Sequence, residues 1–255
     1  MTEILRAVGL SKRFGGFTAL AGVTAGFQAG VLTGVIGPNG AGKSTFFNLL
    51  TGAFPPSAGQ IWWEGRDVTG TPQHRFAALG IAKSFQITNV FPSLTALENV
   101  RVAAQALVAR YDPWRPRARL SALTEDAHAL LGTVGLQHRA AVSAGTLAHG
   151  EQRALELAMA LATRPRLLLL DEPTAGMNES ETLEMQGIIG GLKARGQSIL
   201  LIEHKLDLVM RLSDRVIAMD DGAKIAEGLP DAVRQDPAVI EAYLGHRAIG
   251  EKVAL

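Results

Sequence analysis

Cysteine is absent from this 255-residue chain. That excludes a disulfide framework and thiolate metal sites, and is neutral on compartment. No uninterrupted apolar segment approaches the roughly 18 residues a spanning helix needs, so no transmembrane segment is expected. The opening residues Met1-Thr2-Glu3-Ile4 lack a basic stretch followed by an apolar one, and no signal peptide is expected. Charge is sparse, at 19% of residues, and nearly balanced, with a formal net of +1. This lacks the basic excess of a dedicated nucleic-acid binder, so no nucleic-acid partner is expected. No internal repeat or low-complexity tract stands out. What the chain does hold is apolar residue, 47% of it, enough for a substantial core in one large domain or two small ones. The expectation from these facts is a cytoplasmic globular protein.

The stretch Gly37-Pro38-Asn39-Gly40-Ala41-Gly42-Lys43-Ser44-Thr45 fits G-x-x-x-x-G-K-[ST], a phosphate-binding loop. Its context is right: Val31–Ile36 before it reads as a short apolar strand, and Lys43–Leu50 after it as a helix. The three glycines let the backbone curl so that successive N–H groups converge on a phosphate. The helix beginning near Lys43 adds the positive end of its dipole. Lys43 is expected to reach the β- and γ-phosphates and Ser44 to hold Mg²⁺.

Leu167-Leu168-Leu169-Leu170-Asp171-Glu172-Pro173 is a continuous apolar run ending in two acids. Such a run fits a parallel strand buried on both faces, and the carboxyl end of such a strand is where open α/β sheets bind ligands. Asp171 is therefore placed for the Mg²⁺ shell, and Glu172 for the attacking water as general base. Alone, an exposed acidic turn after a core strand would explain the run equally well. The phosphate loop in the same chain favours the functional reading.

Periodicity gives the coarse map. Ile4–Val8 and Val23–Phe27 read as strands of an N-terminal antiparallel sheet, Gln60–Glu64 as another strand, Thr71–Leu79 as a short helix and Ile81–Phe85 as a strand. From Ala96 to about Ala141 the pattern is helical, interrupted near Asp112–Pro116. Gly150–Thr163 is a helix with Ala154, Leu157, Ala158 and Leu161 on one face. Glu179–Lys193 is another, with a stripe of Met185, Ile188, Ile189 and Leu192. Gln197–Ile202, Arg215–Met219 and Lys224–Glu227 read as strands, Leu229–Leu244 as short closing helices, and Gly245 onward as a tail. Trp62-Trp63 reads as strand packing with one ring buried. His74, His128 and His138 have no metal-ligand spacing. Arg110–Arg119, with four arginines, Tyr111 and Trp114, fits either a solvated connection or a contact to lipid phosphates or a permease loop.

Further motifs follow in a set order: Ser84-Phe85-Gln86, then Leu147-Ala148-His149-Gly150-Glu151-Gln152-Arg153, the Leu-rich Asp-Glu strand, Thr174-Ala175-Gly176-Met177-Asn178 and Ile202-Glu203-His204. In this the chain resembles the ATP-binding subunit of ABC transporters, over almost its whole length. Lys12-Arg13-Phe14-Gly15-Gly16, Ile81–Gln86, Leu94–Val100, Ala175–Asn178, Leu201–Lys205, Lys224–Gly228 and Ile240–Gly245 carry a closer resemblance, to the ATPases of branched-chain amino-acid importers. The resemblance implies an α/β P-loop NTPase fold of ABC type: a mixed-sheet core with an N-terminal antiparallel β-subdomain and an α-helical insert. The implied single ATPase domain has its nucleotide-binding core at about 1–86 and 164–228, its helical subdomain at about 87–163 and C-terminal helices and tail at 229–255.

The resemblance also implies roles. ATP and Mg²⁺ would be the ligands. Phe14 matches the aromatic that stacks on adenine; by residue type alone it could equally be a core Phe. Gln86 matches the glutamine that touches Mg²⁺ or water and links the site to the insert. His204 matches the histidine that contacts the γ-phosphate. Leu147, Ala148, His149 and Gly150 match the signature segment that closes over the γ-phosphate of a second ATPase subunit. There the usual serine is Ala148, and Gly150, with the helix end and His149 assisting, is expected to keep that contact. Asn178 stands where most of the wider superfamily has Asp, in the loop that meets the second subunit, so coupling there is expected to be tuned differently. The implied partners are that second subunit, more often a sister chain than a copy, transmembrane permeases and indirectly a solute-binding protein. The implied place is the cytoplasmic face of the membrane, peripherally. The implied function is to power import of branched-chain amino acids or related small amides and carboxylates. Two alternatives share the cassette: an ATPase for lipid or lipopolysaccharide transport, and a non-transport soluble ABC ATPase.

Overall fold

The structure, a computed structural model, describes residues 2–84, 90–108 and 117–250. In chain order its elements are β1 (Glu3–Phe14), β2 (Phe17–Gln28), β3 (Leu32–Ile36), α1 (Lys43–Leu50), β4 (Ala58–Trp63), β5 (Arg66–Asp67), α2 (Gln73–Phe76), β6 (Ile81–Lys83), α3 (Ala96–Val108), α4 (Arg117–Thr133), α5 (His149–Ala162), β7 (Leu167–Asp171), α6 (Glu179–Ala194), β8 (Ser198–Ile202), α7 (Leu206–Leu212), β9 (Arg215–Asp220), β10 (Ala223–Gly228), α8 (Pro230–Arg234) and α9 (Pro237–Gly250). The chain forms two compact units, residues 1–76 with 193–255, and residues 77–192.

In the first unit an antiparallel sheet runs in the order β2-β1-β4-β5. The two strands expected at Ile4–Val8 and Val23–Phe27 are the regular parts of 12-residue strands. Their pairing slips four times, between Glu3 and Leu5, Ala7 and Leu10, Leu10 and Lys12, and Lys12 and Arg13. Each slip breaks the two-residue alternation, which is why the pattern cannot be followed past Val8. Trp63 is buried and Trp62 half-buried, as neighbours in a strand must point to opposite faces.

β3 pairs in parallel with β8 and with β9, and β10 adds an antiparallel edge to β9. Every residue of β3 and β8 is buried, as strands covered on both faces should be. Ile36 at the end of β3 joins Val209, Val216, Ala218, Val233 and Val239 in one apolar cluster, against which Leu206, Met210, Ile225 and Tyr243 pack. Each large apolar side chain so buried contributes about 1.5–3 kcal/mol. This cluster docks α7, α8 and α9 behind the carboxyl end of β3. The tail expected from Gly245 is instead helical to Gly250. Nothing in that run, Gly-His-Arg-Ala-Ile-Gly, breaks a helix as a proline would.

In the second unit β6 lies parallel to β7, Ile81 opposite Leu167. Helices α3, α4 and α5 pack pairwise on one another. α3 starts at a reciprocal cap. The Thr95 amide donates to Glu98 Oε2 (2.8 Å) and the Glu98 amide to Thr95 Oγ1 (3.2 Å). The helix expected to run to Ala141 stops at Thr133. Gly135 takes a left-handed conformation, φ 77°, and the Leu136 amide turns back to Leu131 O at 2.7 Å, closing the last turn. Similarly, the helix expected over Thr71–Leu79 is α2 followed by a 3₁₀ turn at Ala77–Leu79.

Candidate functional site

The residues expected to hold nucleotide fall in both units, and each half is built from its own neighbours. In the first unit β3 delivers the chain to Gly37, where φ is 151°. A Cβ at that position would run into the Met219 carbonyl. Gly42, the residue before α1, has φ 90°, and a Cβ there would lie 2.7 Å from Ala19 O and 3.2 Å from Gly222 Cα. The loop is therefore pressed onto surrounding backbone, and only glycine fits at its two ends. Gly222, in the turn between β9 and β10, donates its amide to Ala41 O at 3.2 Å.

Lys43 folds back across this loop. Its ammonium donates to Gly37 O (2.7 Å) and Pro38 O (2.8 Å), and the side chain is buried. Asn39, Gly40 and Ser44 are exposed, Thr45 is half-buried and Ala41 is buried. α1 has no acid in its first turn and Gly42 brings no capping side chain, so the positive end of the helix faces outward with no carboxylate of its own first turn. The arrangement offers an anion a row of amides, a helix end and an ammonium.

Phe14, at the end of β1, is not a core residue: it is 48% exposed. Its ring meets Phe54 edge-on, with centroids 5.5 Å apart, and Lys12 Nζ sits 5.2 Å from its centroid. A flat ring held from below and open to solvent is a platform for stacking. His204 follows β8 and is exposed. Its amide bonds the buried Glu203 carboxylate at 3.2 Å.

In the second unit β7 is buried throughout and ends at Asp171. Lys83, at the end of β6, places Nζ 3.4 Å from Asp171 Oδ2. Glu172 has φ 51°, a left-handed conformation costing a non-glycine residue about 1–2 kcal/mol. It turns the chain sharply out of the strand, and its carbonyl accepts the Ala175 amide at 3.0 Å. Strain of this kind collects at working residues. Beside Asp171, Arg153 and Glu156 form a buried pair at 3.0 Å, and both line a small cleft with Ser84 and Asp171. Gln86, expected to touch the metal or the water, lies outside the described residues, as do Phe85 and the 109–116 part of the arginine-rich stretch.

The signature segment is tied to the loop after β7. Leu147 is buried; Ala148 and His149 are exposed. Ala148 is the N-cap of α5 and carries no oxygen to cap it. Instead Glu151 Oε2 accepts the Ala148 amide at 3.0 Å. The Gly150 amide donates to Glu181 Oε1 (3.2 Å), and His149 Nε2 lies 3.2 Å from Ala175 O. Glu181 in turn forms a reciprocal cap with Asn178: the Asn178 amide donates to Glu181 Oε2 and the Glu181 amide to Asn178 Oδ1, each at 3.0 Å. Asn178 thus spends its side chain on starting α6. Burial would raise the Glu151 carboxyl, but the Ala148 amide and the Arg139 guanidinium 2.8 Å away outweigh it and hold the group below its ordinary value.

Sequence reasoning missed Lys83 and Glu181. The spacing Asn178-x-x-Glu181 was a readable cap signal. A lysine ending a three-residue strand carries none.

Comparison with known proteins shows what the chain is similar to. A family profile described as ABC transporter matches residues 20–175, and one described as branched-chain amino acid ATP-binding cassette transporter matches residues 223–249. The chain is 42% identical over 250 residues to the high-affinity branched-chain amino acid transport ATP-binding protein BraF of Pseudomonas aeruginosa, covering 95% of this chain and 98% of that one. It is 38% identical, with the same coverage, to the high-affinity branched-chain amino acid transport ATP-binding protein LivG of Escherichia coli. Among solved structures, the ADP conformation of MJ1267, an ATP-binding cassette of an ABC transporter, superposes with a TM-score of 0.84 at 32% identity, covering 96% of this chain and all of that one.

Proposed function

The chain belongs to the ABC transporter family of ATP-binding cassettes, and from that premise we propose that it powers import of branched-chain amino acids or closely related small solutes. As a member of that family it is an ATPase subunit working with membrane permeases. Among the described residues no helix is long and apolar enough to cross a membrane, so membrane attachment would come through those permeases. The finding that carries the nucleotide half of the proposal is the glycine-walled loop with Lys43 folded over it, a turn seated so closely on surrounding backbone that a Cβ at Gly37 or Gly42 would collide with it.

In this reading the loop amides and Lys43 bind the ATP phosphates, and the exposed ring of Phe14 stacks on the base. Ser44, Asp171 and Gln86 would hold Mg²⁺, and a buried carboxylate ending a strand suits a hard cation. When bound, the ion offsets charge building on the phosphate oxygens. Glu172 orients the attacking water and accepts its proton, and His204 steadies the terminal phosphate. Catalysis of this kind rests on positioning and electrostatics rather than covalent chemistry. A second ATPase subunit, a sister chain rather than a copy, would present its own signature segment. The segment of about 87–163 would carry the motion to the permease.

Support for the solute class comes from the names of the relatives and from the match over 223–249, which sets it ahead of lipid or lipopolysaccharide transport or a non-transport role. The test is ATP turnover by the chain assembled with its permeases in vesicles. A solute-binding protein loaded with leucine, isoleucine or valine should stimulate it. Turnover that ignores all three removes that solute class and leaves the ATPase assignment standing.

A further inference from the structure

The roles above leave Glu203 unused. It is a charged residue only 4% exposed, directly after a strand whose residues are all buried. An apolar residue would extend β8 without penalty, whereas a buried carboxylate is costly unless it takes hydrogen bonds. In the parallel ladder Val35 of β3 lies opposite Ile202 of β8. One residue on, Ile36 leads into the phosphate loop and Glu203 leads into His204. The chain then turns at once. Lys205 is the N-cap of α7, and the Leu208 and Val209 amides donate to its carbonyl at 3.0 and 3.2 Å. Val209 is buried in the same cluster as Ile36. His204 therefore sits in a short turn whose two ends are anchored, one by the ladder and one by α7. Those anchors alone do not set the plane of the peptide between Glu203 and His204. The His204 amide donates to Glu203 Oε2 at 3.2 Å. That bond fixes the plane, and with it the direction in which the exposed imidazole leaves the chain.

We propose that Glu203 is a positioning residue for the γ-phosphate of ATP: its carboxylate, through the His204 amide, aims the His204 side chain at the terminal phosphate. The proposal rests on the role given to His204 above. A hydrogen bond to a charged acceptor is stronger than one between neutral groups, which suits a group that must hold a single peptide plane. Contact with a reacting group is lost by a misplacement of about 1 Å, so a small rotation at this turn is enough to matter. ADP has no γ-phosphate. The effect of Glu203 therefore belongs to the preference for triphosphate over diphosphate and not to nucleotide binding in general.

The experiment compares the full chain with Glu203→Met, which fills the space without an acceptor, Glu203→Gln, which keeps one, His204→Ala, and Glu203→Met combined with His204→Ala. Calorimetry with a non-hydrolysable ATP analogue and with ADP, each with Mg²⁺, gives the triphosphate preference. NMR hydrogen exchange follows the His204 amide, and thermal melting shows that each variant is folded. Glu203→Met and His204→Ala should each lower the preference about three- to tenfold, with ADP affinity within about twofold of the parent. The double variant should lose no more than His204→Ala alone. Glu203→Gln should keep the preference, and His204 amide exchange should quicken in Glu203→Met but not in Glu203→Gln. The parent's preference in Glu203→Met overturns the proposal, as does an equal loss in Glu203→Gln. A double variant showing the product of the two single losses, or unchanged His204 exchange in Glu203→Met, overturns it as well. If His204→Ala itself keeps the parent's preference, the phosphate role of His204 has failed and the positioning role falls with it. A loss in His204→Ala with none in Glu203→Met fails the proposal alone.

Discussion

Lys83 Nζ stands 3.4 Å from Asp171 Oδ2, and both side chains are largely buried, 13% and 2% exposed. A strand-end carboxylate without solvent needs a nearby cation, and in this structure Lys83 supplies it. Removing one member of such a pair strands a buried charge and costs about 3–5 kcal/mol, whereas removing both costs much less. Lys83→Met should therefore lower stability by about 3 kcal/mol in denaturant unfolding, and Asp171→Asn added to it should restore part of the loss. A double variant showing the full sum of the single losses would show that the two residues do not interact.

Glu172 combines a left-handed backbone with the general-base role proposed for it. The two properties separate by substitution. Glu172→Gln keeps the backbone and hydrogen-bonding shape, so ATP binding should persist while turnover falls by about 10²–10⁴. Glu172→Gly should relieve the strain and raise stability by about 1 kcal/mol while also losing turnover. Full turnover by Glu172→Gln would remove the assignment of the base.

Ala148 starts α5 without a capping oxygen. Ala148→Ser should stabilise the chain by about 1 kcal/mol, the usual worth of an N-cap, seen as a rise in Tm. ATP affinity and turnover should rise or hold. A clear fall in both would mean that the alanine is not a simple loss, and would point to the Gly150–Glu181 and His149–Ala175 contacts as the arrangement this chain depends on.

Acid stability follows from Glu151. Its carboxyl is held below its ordinary value, so more protons bind the unfolded than the folded chain as pH falls. The stability it contributes is complete above the unfolded-state value, near pH 4.3, and is lost as pH drops through the lower folded-state value. Glu151→Gln should flatten that part of the curve of unfolding free energy against pH on the acid side of about pH 5, measured by urea titration at each pH. A variant with the parent's slope would show that the Ala148 and Arg139 contacts do not act on this carboxylate.

Legibility varied with how local the causes were. The phosphate loop, α1 and the β7 acids were readable because each is a short motif whose neighbours in sequence are its neighbours in space. The long β1–β2 hairpin was half readable, since bulges erase the alternation after Val8. The end of α4 was missed because one left-handed glycine outweighed a continuing helical composition. Lys83 and Glu181 were missed for a different reason. Their partners, Asp171 and Gly150, are 88 and 31 positions away, and only the folded backbone brings them together.

The central claim is that the loop from Gly37 to Thr45 grips a nucleotide through its amides and Lys43. Calorimetric titration of the purified chain with ATP and Mg²⁺, beside Lys43→Ala, tests it directly. The parent should bind with one site per chain, and Lys43→Ala should lose most of that affinity while melting as a folded protein. Absence of binding by the parent, or equal affinity in the two, would contradict the account.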